Sequence, residues 1–247
     1  MSVEIHGTVS EGWEPIHEKF VSNFHSLGEL GASICVTFEG ETVVDLWAGE
    51  SDTLGNPWNE DTIAVVNSCT KGAVALACHL LADRGLLDLD APVSEVWPEF
   101  AHGTKASITN RMMLNHTTGV AAFREELPQG AAFDWDYMCD RVAAEEPWWS
   151  PGTRNGYHLM SFGWVAGELV RRASGKSLGT FFKEDVAEPS GADFWIGLPS
   201  EEHHRVSALQ PFRPGAHEKF SAFTEAFLAD ADGLQGRAWR NRGGAKG

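Results

Sequence analysis

The chain has 247 residues, 43% of them hydrophobic, which is enough for a globular protein to bury roughly 70% of its unfolded surface. Its 19 lysines and arginines are outnumbered by 35 aspartates and glutamates, and the net charge of -16 repels phosphate backbones and anionic lipids. We therefore expect neither a nucleic acid nor a membrane as a partner.

The start of the chain and its cysteines bear on location and on metal binding. Residues 1–7 have no basic segment followed by an apolar core, and no later run approaches ~18 uninterrupted apolar residues, which favours a cytoplasmic location. Cys35, Cys69, Cys78 and Cys139 show no C-x-x-C spacing. Neither a structural zinc nor a disulfide framework is therefore expected.

The N-terminal region predicts a helix and a β-hairpin. Apolar residues from Trp13 to Leu27 recur at helical spacing with charged residues between them, so this helix should cover a sheet. Residues 32–38 and 42–48 are short runs rich in β-branched and aromatic residues, and residues 39–41 join them. This pattern is typical of two antiparallel strands.

Residues 67–72, Asn-Ser-Cys-Thr-Lys-Gly, open the apolar run 73–81 and predict a helix that ends near Gly85. Ser68 would lie in the first turn, near unpaired N–H groups and the positive end of the helix dipole. Lys71 lies three residues later on the same face, within reach of the serine hydroxyl. The spacing suits a nucleophile with its base, and equally a capping serine beside a solvated lysine.

The rest of the chain alternates between short helices and loops rich in glycine and proline. In order, the sequence predicts an extended connection at 86–90, a capped helix at 108–116, a loop-rich middle that runs to Tyr157, a helix at 162–173 that ends at Gly175, and a helix at 178–187 that stops before Pro189.

Several segments together resemble the serine β-lactamase and penicillin-binding-protein superfamily, most closely its class C-like branch, which includes esterases. The resemblance covers about residues 13–240 and implies an α+β fold, an α/β sandwich of the β-lactamase/transpeptidase type, with the N-terminal helix and hairpin beside a helical subdomain. The matching segments, in the family's order, are Trp58 with 61–62, then 67–72, 85–90, 108–109, 114–119, 151–153, 156–158, 189–193 and 236–241.

The resemblance implies roles for three residues. Ser68 is similar to the acylated nucleophile, Lys71 to its base, and Tyr157 to the phenol that relays protons. The implied substrate is a small ester or amide, with no metal or organic cofactor. His116 and His158 could suggest a metal pair or a triad base, but no H-E-x-x-H spacing accompanies them, and we expect both to be structural.

The chain departs from the family at two places. Leu159 stands where many relatives have an asparagine that helps to hold the substrate, which argues against a β-lactam. Relatives also continue past residue 247 with a Lys-Thr-Gly-like or His/Trp-x-Gly motif, whose strand supplies an oxyanion-hole N–H. We therefore expect a truncated single domain at residues 1–241, without the C-terminal strands of its sheet, and a Gly-rich tail at 242–247.

Two interpretations remain open at this stage. The first is an active serine hydrolase whose acyl pocket is walled by Trp135, Trp148 and Trp149, although these residues also suit core packing. The second is a catalytically silent remnant, or an interaction module that completes its sheet with another polypeptide. An exposed edge of the 32–48 hairpin would then allow self-association.

Overall fold

The computed structural model describes residues 3–210 and 221–244, apart from the side chain of Phe223. The described residues form two compact units, each with its own core. The first unit comprises the described parts of 1–67 and 198–216, and the second those of 68–197 and 217–247. The predicted single domain at 1–241 stays a prediction, and residues 245–247 of the predicted tail lie outside the described part.

The first unit contains a three-stranded antiparallel sheet with the order β1-β3-β2. Its strands are β1 (Ile5–Val9), β2 (Gly31–Phe38) and β3 (Glu41–Gly49). The predicted hairpin is confirmed as β2 and β3. Strand β1 was not predicted, because Gly7, with a φ of 102°, interrupts its short apolar pattern. As a result β3 has a strand on both sides.

Helix α1 (Glu14–Ser26) covers this sheet as predicted. Every second residue of β3 from Val44 to Ala48 is buried, the period expected of a strand with one face in a core. Phe20 of α1 packs among these residues, and its ring centroid lies 5.4 Å from that of Phe24. The core of this unit therefore lies between α1 and one face of the sheet.

The second unit is helical. Its helices are α2 (Thr70–Asp83), α3 (Asn110–Leu114), α4 (Trp135–Ala144), α5 (Phe162–Ser174), α6 (Leu178–Phe182), α7 (Glu188–Ser190), α8 (Ala222–Ala229) and α9 (Leu234–Arg240), with a π-helical turn at Lys183–Ala187 between α6 and α7. No helix in the described part of the chain is both long and apolar enough to cross a membrane.

Helix α5 is the centre of this unit, because two of its faces are buried. Val165 and Leu169 belong to a core cluster that includes residues of α4, and Ala166 and Val170 belong to a second cluster that includes residues of α2. All four side chains are fully buried. Val165 and Leu169 thus lie on one face of α5, and Ala166 and Val170 lie on a neighbouring face. Helix α5 therefore packs against α4 on one side and against α2 on another.

A buried carboxylate reinforces this arrangement. Glu168 of α5 is fully buried and accepts hydrogen bonds from Arg171 and Arg172, each at 2.7 Å, and from the indole of Trp135 at 2.8 Å. Burial raises the pKa of this carboxyl, but the two guanidinium groups and the indole outweigh burial and lower it to about 2. The charge is therefore compensated, and it ties α5 to the start of α4.

Several sequence predictions need correction. Helix α4 lies in the segment predicted to be loop-rich, although Asp134, whose side chain caps it, and the buried residues Met138 and Val142 were available as signals. The helical segment that starts at Leu178 does not stop before Pro189 but continues through a π-helical turn to Ser190. A π turn forms i→i+5 hydrogen bonds in place of the i→i+4 bonds of an α-helix. This change of pattern accommodates Pro189, which has no backbone N–H to donate.

We expect Gly49→Ala to destabilise the protein more than Gly12→Ala. The two glycines have similar positive φ angles, 85° and 88°, so each alanine adds ~1–2 kcal/mol of backbone strain. A Cβ at Gly49 would also lie 2.2 Å from the carbonyl oxygen of Leu30, whereas one at Gly12 would meet nothing within 4 Å. The overlap should add ~1–3 kcal/mol, measured as the free energy of unfolding in urea. Equal losses of unfolding free energy in Gly49→Ala and Gly12→Ala would contradict this account.

Candidate active site

Ser68 lies in a short 3-10 turn, Asn67–Cys69, that leads directly into α2. It was predicted to lie in the first α-helical turn and instead lies just before it. Asn67 has a φ of 45°, a left-handed conformation in which local strain is stored. Ser68 and Lys71 are three residues apart across the junction of this turn with α2, a separation that places side chains on the same face.

The amine of Lys71 is the centre of the site. Its Nζ donates hydrogen bonds to Ser68 Oγ at 3.2 Å and to the carbonyl oxygen of Leu159 at 3.3 Å. It also lies 4.7 Å from the ring centroid of Tyr157 and 5.4 Å from that of Phe162. Lys71 is partly buried and Ser68 is exposed. Among residues 3–210 and 221–244, no carboxylate forms an ion pair with Lys71.

Tyr157 places its phenol beside these two residues. Burial raises the pKa of the phenol, but the Ser68 hydroxyl and the positive charge of Lys71 outweigh burial, so the pKa lies below its ordinary value. The residue is 48% exposed, which leaves the phenol open to solvent. A phenol of this kind can both accept and donate a proton.

A buried hydrogen-bond chain supports the segment that carries Tyr157. His158 is fully buried, and its two ring nitrogens lie 2.7 Å from the carbonyl oxygen of Gly156 and from Thr118 Oγ1. A carbonyl can only accept, so Nδ1 carries the proton and Nε2 accepts from the Thr118 hydroxyl. Thr118 in turn accepts from the N–H of Val120. Burial lowers the pKa of His158 to about 4, so the imidazole is neutral near pH 7.

His116 joins this chain to the candidate site. Its Nδ1 accepts a hydrogen bond from the backbone N–H of His158 at 3.1 Å, and its ring centroid lies 5.0 Å from that of Tyr157. Burial, with a smaller contribution from the charge of Lys71, lowers the pKa of this imidazole. A neutral His116 therefore supports the backbone next to Tyr157 and adds no second cation.

The structure brings all three predicted residues, Ser68, Lys71 and Tyr157, together within the second unit. The sequence analysis missed the Leu159 carbonyl as a partner of Lys71, and no motif could have revealed it. The thiol of Cys69, the neighbour of Ser68, is exposed. The described residues include no group of three or more His, Cys, Asp or Glu that could hold a metal ion.

Comparison with known proteins identifies the family. The profile of the beta-lactamase family matches residues 16–234, which is most of the chain. The chain belongs to the beta-lactamase family. Among curated relatives of this family, the esterase/beta-lactamase LipL of Mycobacterium tuberculosis is 38% identical over 182 residues.

Solved structures show the same relationship at the level of the fold. A penicillin-binding protein homologue from Caulobacter crescentus is similar with a TM-score of 0.86 and 38% identity over 99% of this chain. A family VIII carboxylesterase is similar with a TM-score of 0.81 and 40% identity over 96% of this chain. The α+β fold of the β-lactamase/transpeptidase type is therefore confirmed.

The relatives are longer than this chain. It spans 42% of the length of LipL, and 64% and 65% of the chains in the two solved structures. The similarity accordingly concerns the part that contains Ser68, Lys71 and Tyr157. The activity of the longer relatives is therefore only proposed for this chain.

We expect His158→Gln to make stability less sensitive to acid. The burial of His158, with smaller effects of His116 and Lys71, lowers its pKa to about 4, against an ordinary value of ~6.5. Between these values the unfolded chain binds the proton and the folded chain does not. Stability is therefore complete above pH ~6.5 and is lost as the pH falls towards 4, by about 2 kcal/mol at pH 5 for this group.

The measurement is the free energy of unfolding in urea at pH 7.5 and pH 5. The difference between the two pH values should shrink by about 2 kcal/mol in His158→Gln. The same substitution at the exposed His79 of α2 is the control and should keep the wild-type difference. An unchanged difference in His158→Gln would show that this imidazole is not held neutral.

Proposed function

We propose that this chain is a serine hydrolase that transfers the acyl group of a small ester or amide to water through an acyl-enzyme at Ser68. The observation that carries the proposal is the 3.2 Å contact between Lys71 Nζ and Ser68 Oγ, beside a phenol of lowered pKa. A hydroxyl needs an adjacent base to attack a carbonyl, and an amine that is neutral when the proton moves can serve.

In the acylation step, Lys71 accepts the proton of Ser68 while Oγ forms a bond to the carbonyl carbon of the substrate. The tetrahedral intermediate then collapses, and the bond from that carbon to the leaving oxygen or nitrogen breaks. Tyr157 delivers a proton to the leaving group and regains one from Lys71. This relay suits a phenol whose ring lies 4.7 Å from the Lys71 nitrogen.

In the deacylation step, water takes the place of the leaving group. The neutral amine of Lys71 accepts a proton from the water through the phenol of Tyr157, and the oxygen of the water bonds to the acyl carbon. The bond between this carbon and Ser68 Oγ breaks, the serine regains its proton, and the carboxylic acid is released. Both steps use Ser68, Lys71 and Tyr157 and need no redox partner.

Two observations favour an ester over a β-lactam. One similar structure is named a family VIII carboxylesterase. The side chain at position 159 is leucine, which offers no hydrogen bond to the amide of a β-lactam, while its backbone carbonyl is occupied by Lys71. We therefore propose carboxylic esters as the first substrates to test.

We expect Lys71→Arg to lower the rate of p-nitrophenyl acetate hydrolysis by ~10²–10⁴-fold, the range that general-base catalysis contributes. Arginine keeps the positive charge but cannot be deprotonated, so it cannot take the serine proton. Ser68→Ala sets the baseline and should lose at least ~10³-fold. The rate is followed by the release of p-nitrophenolate, with the free energy of unfolding measured alongside.

Lys183→Arg is the matched control, because Lys183 is an exposed lysine of the same unit whose only described ion pair is with Glu188, at 3.7 Å. It should keep the wild-type rate within twofold and change stability by no more than ~0.5 kcal/mol. Wild-type hydrolysis by Lys71→Arg would remove Lys71 as the base, and wild-type hydrolysis by Ser68→Ala would remove the proposed function.

A further inference from the structure

A cavity of about 220 Å³ lies next to the candidate site, within the second unit. It is smaller than the ~300–1,000 Å³ of sites for drug-sized molecules, so it suits a small group. Eight residues line it: Ala121, Trp149, Gly156, Tyr157, Leu159, Leu234, Gln235 and Ala238.

The lining is uncharged and mostly apolar. Only the Gln235 amide, the Trp149 indole and the Tyr157 phenol carry polar side-chain atoms, and the indole already donates to the carbonyl oxygen of Arg154 at 3.0 Å. A charged group placed here would lose its hydration without gaining an ion partner in the lining. The cavity therefore favours hydrocarbon.

Tyr157 and Leu159 belong to both the cavity and the candidate site. The ring of Tyr157 lies between the cavity and Lys71, and the carbonyl oxygen of Leu159 accepts from Lys71 Nζ. The wall at Trp149 is close-packed, because a Cβ at Gly156 would lie 2.3 Å from its ring. Ala238 on α9 also lines the cavity, and its side chain is small.

We propose that this cavity holds the acyl chain of the substrate, and that the enzyme selects uncharged, straight acyl groups of about six to eight carbons. The proposal rests on the proposed function and names its substrate class. A group of water size takes ~30 Å³, so 220 Å³ has room for roughly seven such groups. Longer acyl chains would exceed this volume.

The test is kcat/KM for p-nitrophenyl esters of increasing acyl length. From acetate to hexanoate the value should rise at least tenfold, and by at most about fourfold for each buried methylene. It should fall again at laurate. The adipate monoester, which matches hexanoate in carbon number but ends in a carboxylate, should be at least tenfold poorer than hexanoate.

Ala238→Phe should narrow the cavity and lower the octanoate-to-acetate ratio of kcat/KM at least tenfold. Ala226→Phe is the matched control, because Ala226 is exposed on α8 and does not line the cavity, and its ratio should stay within twofold of the wild type. Circular dichroism of both variants establishes that each is folded. If Ala238→Phe fails to fold, Leu234→Trp replaces it with the same expected ratio.

The outcomes distinguish a failure of the acyl-cavity proposal from a failure of the proposed serine hydrolase function. Hydrolysis of acetate that is lost in Ser68→Ala but does not depend on acyl length would overturn the acyl cavity and leave the serine hydrolase. If kcat/KM depended instead on the length of the alcohol chain in a series of alkyl acetates, the proposal would also be overturned, because the cavity would then hold the leaving group. Hydrolysis that persists in Ser68→Ala would overturn both.

Discussion

The site depends on one placement, that of the Lys71 amine between the Ser68 hydroxyl and the Leu159 carbonyl. The junction of the 3-10 turn with α2 supplies the first contact, because Ser68 and Lys71 lie three residues apart on the same face there. The second contact crosses 88 positions of sequence and so needs the tertiary structure. The amine thus links the start of α2 to the segment that carries Tyr157, and a displacement of either would separate the nucleophile from its base.

The segment at 156–159 is held from behind by neutral imidazoles rather than by ion pairs. His158 bonds to Gly156 and Thr118 with both ring nitrogens, and His116 accepts from the backbone of His158. When every donor and acceptor in a chain of buried hydrogen bonds is paired, the chain has a single arrangement. It therefore holds the backbone at 156–159 rigid, as catalysis with fixed geometry requires. Because burial lowers the pKa of both imidazoles, neither adds a positive charge beside that of Lys71.

Local patterns in the sequence predicted the structural features that depend only on residues close to each other along the chain. The hairpin, α1, α5 and the meeting of Ser68 with Lys71 follow from periods and spacings. Strand β1 was missed because Gly7 interrupts its short apolar pattern, and α4 was missed because the glycines and prolines on either side of it suggested a loop. The cavity could not be foreseen, since it joins Ala121, Trp149 and α9 across more than a hundred positions. The role of Tyr157 came from family resemblance and not from any local pattern.

The central claim is that the Ser68 hydroxyl is the nucleophile, and the exposed thiol of the neighbouring Cys69 is its nearest competitor. The most direct measurement is the intact mass of the chain after incubation with a fluorophosphonate, followed by peptide mapping of the modified residue. This account expects a single adduct, on Ser68, that is absent from Ser68→Ala and retained in Cys69→Ala. An adduct on another residue, or none, would contradict it.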